Sequence, residues 1–276
     1  MKKLSLLLVT LLLTCGTFTY ADGLPPDEAK AKEVLNKSPR HGEYVDIKLA
    51  GTDKPIRAYV VYPERKDKAP VVIVIHEIFG LSDWIRSVSD QLAADGFIAI
   101  APDFLSGTGK DGGGTDSYAD RGEVTKAVRG VTPDKVVKII DAAREYGLKL
   151  PAATDKSATI GFCWGGGQSF TYAASQPGVN AAVIYYGSGV SADAMAKIKC
   201  PVMGNYGGRD ARITATVAPT TASMKKLEKK YEPHVYDGAG HGFLRQQESN
   251  PANAKAANEA WPATIKFLKE NTEAKK

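Results

Sequence analysis

The chain has 276 residues, 43% of them apolar, with 36 basic and 31 acidic side chains giving a formal charge of +5. That length and apolar content suffice for one full core, and α/β folds of this size commonly form a single domain. The lysines are scattered: the densest groups (Lys225, Lys226, Lys229, Lys230 and the tail Lys275, Lys276) read as solvated helix faces and a frayed end, which sets nucleic-acid binding aside.

Taken in chain order, Lys2-Lys3, the apolar run Leu4 to Leu13 and the small-residue end Thr19-Tyr20-Ala21 predict a secretory signal peptide over residues 1–21, with Asp22 as the first mature residue. The apolar run is about half of the ~20 residues a span requires, so no stable membrane insertion is expected. Leu12-Leu13-Thr14 before Cys15 leaves a lipoprotein alternative, for which Thr is a poor fit. Loss of Lys2 and Lys3 from a segment without acids lowers the charge from +5 to +3. The mature chain, 22–276, is expected to be one domain, periplasmic or secreted, and a monomer.

A polar arm at 22–40 precedes alternating runs at 43–50 and 56–62, which predict antiparallel strands at a sheet edge. Continuous apolar runs then follow at Val71–Ile75, Phe97–Ala101, Ala158–Phe162, Ala182–Tyr186 and Val202–Tyr206, typical of strands buried on both faces. Helical patterns lie at Asp83–Ala94, Asp134–Tyr146, Trp164–Ser175, Ala215–Lys230 and Ala252–Glu270. The alternation predicts an α/β fold with a mostly parallel central sheet and helices on both faces. Within the loop at 106–132, Gly107-Thr108-Gly109-Lys110-Asp111-Gly112 matches G-x-G-x-x-G, but it opens no helix and Asp111 stands where a phosphate loop has Ser or Thr. It reads as a mobile glycine-rich loop at the carboxyl edge of the sheet, where ligands bind.

The most informative segment is Gly161-Phe162-Cys163-Trp164-Gly165-Gly166-Gly167. An apolar strand running into Gly-x-Cys-x-Gly is the nucleophile-elbow pattern with sulfur in place of a hydroxyl. The glycines let backbones pass closely while the side chain stands exposed, and the field of the following helix is expected to favour the Cys163 thiolate. Cys200 opens another strand, on the order of 15 Å away at ~3.3 Å per residue, too far for a bridge; it reads as a small buried apolar residue.

A nucleophile needs a base, and the base a group that fixes its tautomer. Asp210, in Gly207-Gly208-Arg209-Asp210, and His241, in Gly238-Ala239-Gly240-His241-Gly242, each follow a strand. The order nucleophile, acid, histidine is that of α/β-hydrolases. Asp237, four residues before His241, is a rival acid. In that fold the oxyanion hole combines the N–H after the nucleophile with one from the loop after an earlier strand, which assigns the backbone of Trp164 and Ile78. Glu77 is either a surface acid capping its turn or a group that enters the site and holds the thiol proton. His41 and His234 read as structural or solvent-facing, and Tyr185 and Tyr186 as core residues or pocket lining. No His/Cys cluster has metal-ligand spacing, and no cofactor is implied.

Gly-Phe-Cys163-Trp-Gly-Gly, Asp210 and Gly-His241-Gly, together with His-Glu77-Ile-Phe-Gly and Ala-Pro-Asp103-Phe, closely resemble the dienelactone hydrolase (carboxymethylenebutenolidase) family over about residues 70–245. The resemblance implies a Cys163–His241–Asp210 triad that hydrolyses a small ester or lactone through a thioester, with Glu77 receiving the Cys163 proton. It also implies a pair of arginines that hold a substrate carboxylate. One is Arg245, four residues past His241. The place of the second, counted along, falls on Gly107, and Arg121 or Arg129 could stand in only if the loop folds back. Two other readings compete with an exported cysteine hydrolase: a catalytically silent α/β-hydrolase that binds a ligand or partner, and an acyl transferase.

Overall fold

β-branched and small apolar residues cannot satisfy both faces of a strand against water, so the runs that carry them are sandwiched. The computed structural model describes residues 23–273; the expected signal peptide at 1–21 lies outside them. Eight strands form one sheet: β1 (Gly42–Ile47), β2 (Ile56–Val61), β3 (Ala69–Ile75), β4 (Ile98–Pro102), β5 (Ala153–Phe162), β6 (Ala181–Tyr185), β7 (Val202–Gly207) and β8 (Tyr231–Tyr236). Their order is β1-β2-β4-β3-β5-β6-β7-β8. β2 pairs antiparallel with both β1 and β4, and every other pairing is parallel. The fold is thus the expected α/β class, with the antiparallel strands at one edge.

The helices are α1 (Ala31–Lys37), α2 (Asp83–Ala94), α3 (Arg121–Arg129), α4 (Pro133–Leu148), α5 (Trp164–Ser175), α6 (Ala192–Lys197), α7 (Ala211–Lys226) and α8 (Pro251–Thr272). Successive residues of β3 go to opposite cores. Val71, Ile73 and Ile75 pack with Ile139 and Ile140 of α4, Phe170 of α5 and Ile213 of α7, whereas Val72 and Val74 pack with Trp84 and Val88 of α2 and Trp261 and Leu268 of α8. This period-two division puts helices on both faces.

Three departures from the sequence reading have local causes. The segment 106–132 is not all loop, because Asp120 caps α3 by accepting the Glu123 N–H at 2.9 Å. Only Val124 and Val128 of α3 are buried, too few apolar positions to announce a helix. The glycine-rich part is anchored: the Asp103 carboxylate accepts the Thr115 N–H at 2.7 Å, the Thr115 hydroxyl at 2.8 Å and the Leu105 N–H at 3.0 Å. The arm at 22–40 contains α1 and buries Ala31 completely. Finally, α7 begins and ends four residues before its expected limits, and the left-handed Glu228 (φ 55°) then turns the chain toward β8.

The register brings the carboxyl ends of five strands level, pairing Ile75 with Gly161, Phe162 with Tyr185, Tyr185 with Asn205, and Gly207 with Tyr236. The loops that follow β3, β5, β6, β7 and β8 therefore leave from one edge. Cys163 belongs to that edge; Cys200 precedes β7 at the opposite one, 6% exposed, and both thiols are free.

Candidate active site

Cys163 stands between β5 and α5 with φ 54° and ψ −114°, a strained conformation for a residue with a Cβ. The close passage of the chain around it fixes that strain. A Cβ on Gly161 would lie 1.9 Å from the Gly165 carbonyl oxygen, and one on Gly165 would lie 2.3 Å from that of Ile75. The backbone N–H of Cys163 donates to the Tyr185 carbonyl at 3.0 Å, tying the elbow to the end of β6.

Burial raises the Cys163 pKa, as does the charge of Glu77. The backbone N–H groups of Trp164 and Ile78, and the charge of Arg212, act in the opposite direction and are outweighed. The balance favours the thiol, contrary to the expectation from the helix field alone: desolvation and a nearby carboxylate exceed the backbone contribution. The N–H groups of Trp164 and Ile78, the expected oxyanion donors, both favour the ionised sulfur. The Ile78 loop is held by His76, which is fully buried, with Nδ1 2.7 Å from the Glu77 carbonyl and Nε2 facing the Phe104 N–H at 3.3 Å. That arrangement places the proton on Nδ1.

Asp210 follows β7 and immediately precedes α7, and its Oδ2 lies 2.5 Å from Nδ1 of His241. With Nδ1–H donated to the carboxylate, the lone pair of Nε2 is left free to accept a proton. Close backbone passage again sets the geometry, since a Cβ on Gly207 would lie 2.4 Å from the Gly240 carbonyl. The Gly240 N–H donates to Asn253 Oδ1 of α8 at 2.8 Å, which fastens the histidine loop. Asp210, not Asp237, is the acid that meets His241. No hydrogen bond joins Cys163 to His241 among the described residues.

Glu77 is inside the site, 3% exposed. Burial pushes its pKa up to about 7, partly offset by Arg245, whose Nε lies 2.9 Å from Oε2. The Arg245 Nε–H points off the carboxylate, so the contact is an ion pair rather than an aligned hydrogen bond. After His241 the chain makes a turn: the Gly242 carbonyl accepts the N–H of Arg245 at 2.9 Å and of Gln246 at 3.0 Å. Arg245 is thereby brought back over the site.

The other partners of Arg245 were not foreseen. Its Nη1 donates to Glu28 Oε2 at 2.5 Å, and Arg121 Nη2 contacts Oε1 of the same carboxylate. The guanidinium carbons of Arg121 and Arg245 lie 4.5 and 5.1 Å from the centroid of the Phe79 ring. Of the two arginines considered for the second position, the folded-back chain brings Arg121 to Arg245. Nothing in a polar arm more than 200 residues from Arg245 signals Glu28. Tyr186, at φ 41°, is fully buried, its ring centroid 5.1 Å from that of His241 and its hydroxyl without a hydrogen-bond partner. Tyr185 is core, its hydroxyl 2.8 Å from that of Thr264. His41 is exposed, and His234 pairs with Glu232 at 2.8 Å. Among the described residues no cluster of His, Cys, Asp and Glu could hold a metal, and no helix is long and apolar enough to cross a membrane.

Residues 56–272 match the dienelactone hydrolase family. A carboxymethylenebutenolidase homologue of Yersinia pestis is 31% identical over 76% of this chain and 82% of its own, and one of Methylorubrum extorquens is 32% identical over 78% and 77%. The crystal structure of a dienelactone hydrolase homologue from Klebsiella pneumoniae superposes with a TM-score of 0.72 at 27% identity, covering 83% of this chain and 98% of the other. The match spans every loop that carries the site, from the Glu77 turn to the His241 turn, and the chain belongs to the dienelactone hydrolase family, as a hydrolase with the α/β-hydrolase fold.

Proposed function

We propose that the protein is a cofactor-independent hydrolase of small carboxylic esters or lactones that works through a thioester on Cys163. The observation that carries this reading is the strained placement of Cys163 at φ 54° on the turn between β5 and α5, at the sheet edge where Asp210 Oδ2 lies 2.5 Å from His241 Nδ1 and where the N–H groups of Trp164 and Ile78 favour the ionised sulfur. A carbonyl presented to that sulfur puts its oxygen beside two backbone donors, the positions where negative charge develops on attack. Glu77, with a pKa of about 7 and its charge felt at the thiol, is suited to take the thiol proton when a substrate displaces water.

Attack of sulfur on the acyl carbon forms the C–S bond and breaks the C–O bond. The thiol proton leaves with the alcohol oxygen, which stays tethered to the acyl group if the substrate is a lactone. Nε2 of His241, oriented by Asp210, then takes a proton from water as its oxygen attacks the thioester; the acid departs and the proton returns to sulfur. Arg245, within reach of Glu77, is the candidate contact for a charged acyl substituent. Export by an N-terminal signal at 1–21 and a monomeric mature chain belong to the same reading.

The test is turnover of a neutral activated ester such as 4-nitrophenyl butyrate, with mass analysis of the quenched enzyme. An acyl adduct on Cys163, and loss of turnover in Cys163→Ala but not in Cys200→Ala, is the expected result. Wild-type rates in Cys163→Ala would overturn the mechanism.

A further inference from the structure

Outward from the reacting atoms runs a chain of alternating charge: Glu77, Arg245, Glu28, Arg121. Two guanidinium groups stacked over one phenylalanine and converging on a single carboxylate are an arrangement suited to holding a ligand carboxylate. Here the carboxylate is the protein's own. Its side chain is 24% exposed and that of Arg121 56%, so the group lies where incoming substrate can reach it.

Glu28 is not a chance visitor. Its N–H donates to the Arg245 carbonyl at 2.9 Å. The neighbouring Pro25 and Pro26 carbonyls accept from Gln247 Nε2 at 2.7 Å and Trp84 Nε1 at 3.1 Å, and Asp27 Oδ2 accepts the Glu248 N–H at 3.1 Å. A carboxylate fastened beside its partners competes with a free one as an intramolecular ligand, at high effective concentration.

We propose that Glu28 is a specificity-determining residue: it fills the Arg121–Arg245 pair, so that acyl groups bearing a free carboxylate are disfavoured and neutral ones preferred. A substrate carboxylate reaches Arg245 only by displacing Glu28. The proposal rests on the ester-hydrolase reading and deepens it by assigning the charge of the substrate.

Glu28→Gln keeps the shape and removes the charge. The ratio of kcat/KM for mono(4-nitrophenyl) succinate over that for 4-nitrophenyl butyrate should rise by about tenfold or more, the scale of a hydrogen bond to a charged group. Adding Arg121→Ala should reverse the gain, whereas a loosened arm would give a gain indifferent to Arg121. A second measurement needs no turnover: the ratio of Cys163 alkylation rates with iodoacetate and iodoacetamide should rise in the same variant. Glu28→Ser serves both comparisons if the glutamine variant does not fold. Ratios within twofold of wild type in both measurements, or a gain that survives Arg121→Ala, would overturn the role of Glu28. Absence of ester turnover in wild type, with the alkylation ratio still responding, would instead reject the hydrolase reading while leaving the charge assignment standing.

Discussion

Burial raises the pKa of both the Cys163 thiol and the Glu77 carboxyl, and the Glu77 charge further disfavours ionisation of the thiol. Removing the Glu77 charge should therefore lower the thiol pKa, and the pH profile of Cys163 alkylation by iodoacetamide should move to lower pH in Glu77→Gln. The carboxyl also leaves a mark on stability. Its pKa rises from 4.5 to about 7 on folding, so the native chain holds the proton more tightly. Its favourable contribution is complete below pH 4.5 and is lost as pH climbs through 7, a change of about 3 kcal/mol. Asp95, raised by burial to about 6, gives a slope of the same sign. The difference between wild-type and Glu77→Gln denaturation profiles isolates the Glu77 share: wild type should lose more stability than the variant between pH 4.5 and pH 8, and parallel profiles would reject a buried Glu77.

At the scale of elements, the elbow depends on glycine because backbone meets backbone. Gly161→Ala places a methyl group 1.9 Å from a carbonyl oxygen that no rotamer change can move aside, and a loss of about 3 kcal/mol is expected from the denaturant midpoint. A midpoint equal to that of wild type would refute this packing. The elements most legible in sequence were those buried on both sides: α2 and α5 have their expected limits, and the β5 elbow announces itself by its glycines. The positions of Cys163 and Asp210 were legible because each follows a strand whose end its apolar run reveals, whereas β8 before His241 has no such run and the histidine is marked by the glycines around it. What escaped notice has little burial to betray it. α3 buries two residues and α6 buries Met195 alone, so each offers too few apolar positions to stand out in the sequence. Glu28 escaped for a different reason: its importance lies in two long-range ion pairs, and no local pattern encodes a partner more than 200 positions away.

For the whole molecule, the proposed export makes a prediction independent of catalysis. Mature protein recovered outside the cytoplasm should begin at or near Asp22, as read by N-terminal sequencing, and an intact chain starting at Met1 in the cytoplasm would refute it. Sedimentation of that mature form should give the mass of one chain. The arm that follows Asp22 lies before residue 56, where the family match begins, yet its Glu28 pairs with Arg245 beside Glu77. Cys163, Asp210 and His241 sit on loops that leave the level carboxyl ends of the sheet, while the arm reaches Arg245 from a segment ahead of the sheet, through the Glu28 carboxylate and its N–H. Chemistry and selection are thus carried by separable pieces of the chain. Drift in a short leading segment can alter which acyl groups are admitted without disturbing a single strand, giving such an enzyme a route to new substrates that does not pass through a broken catalytic intermediate.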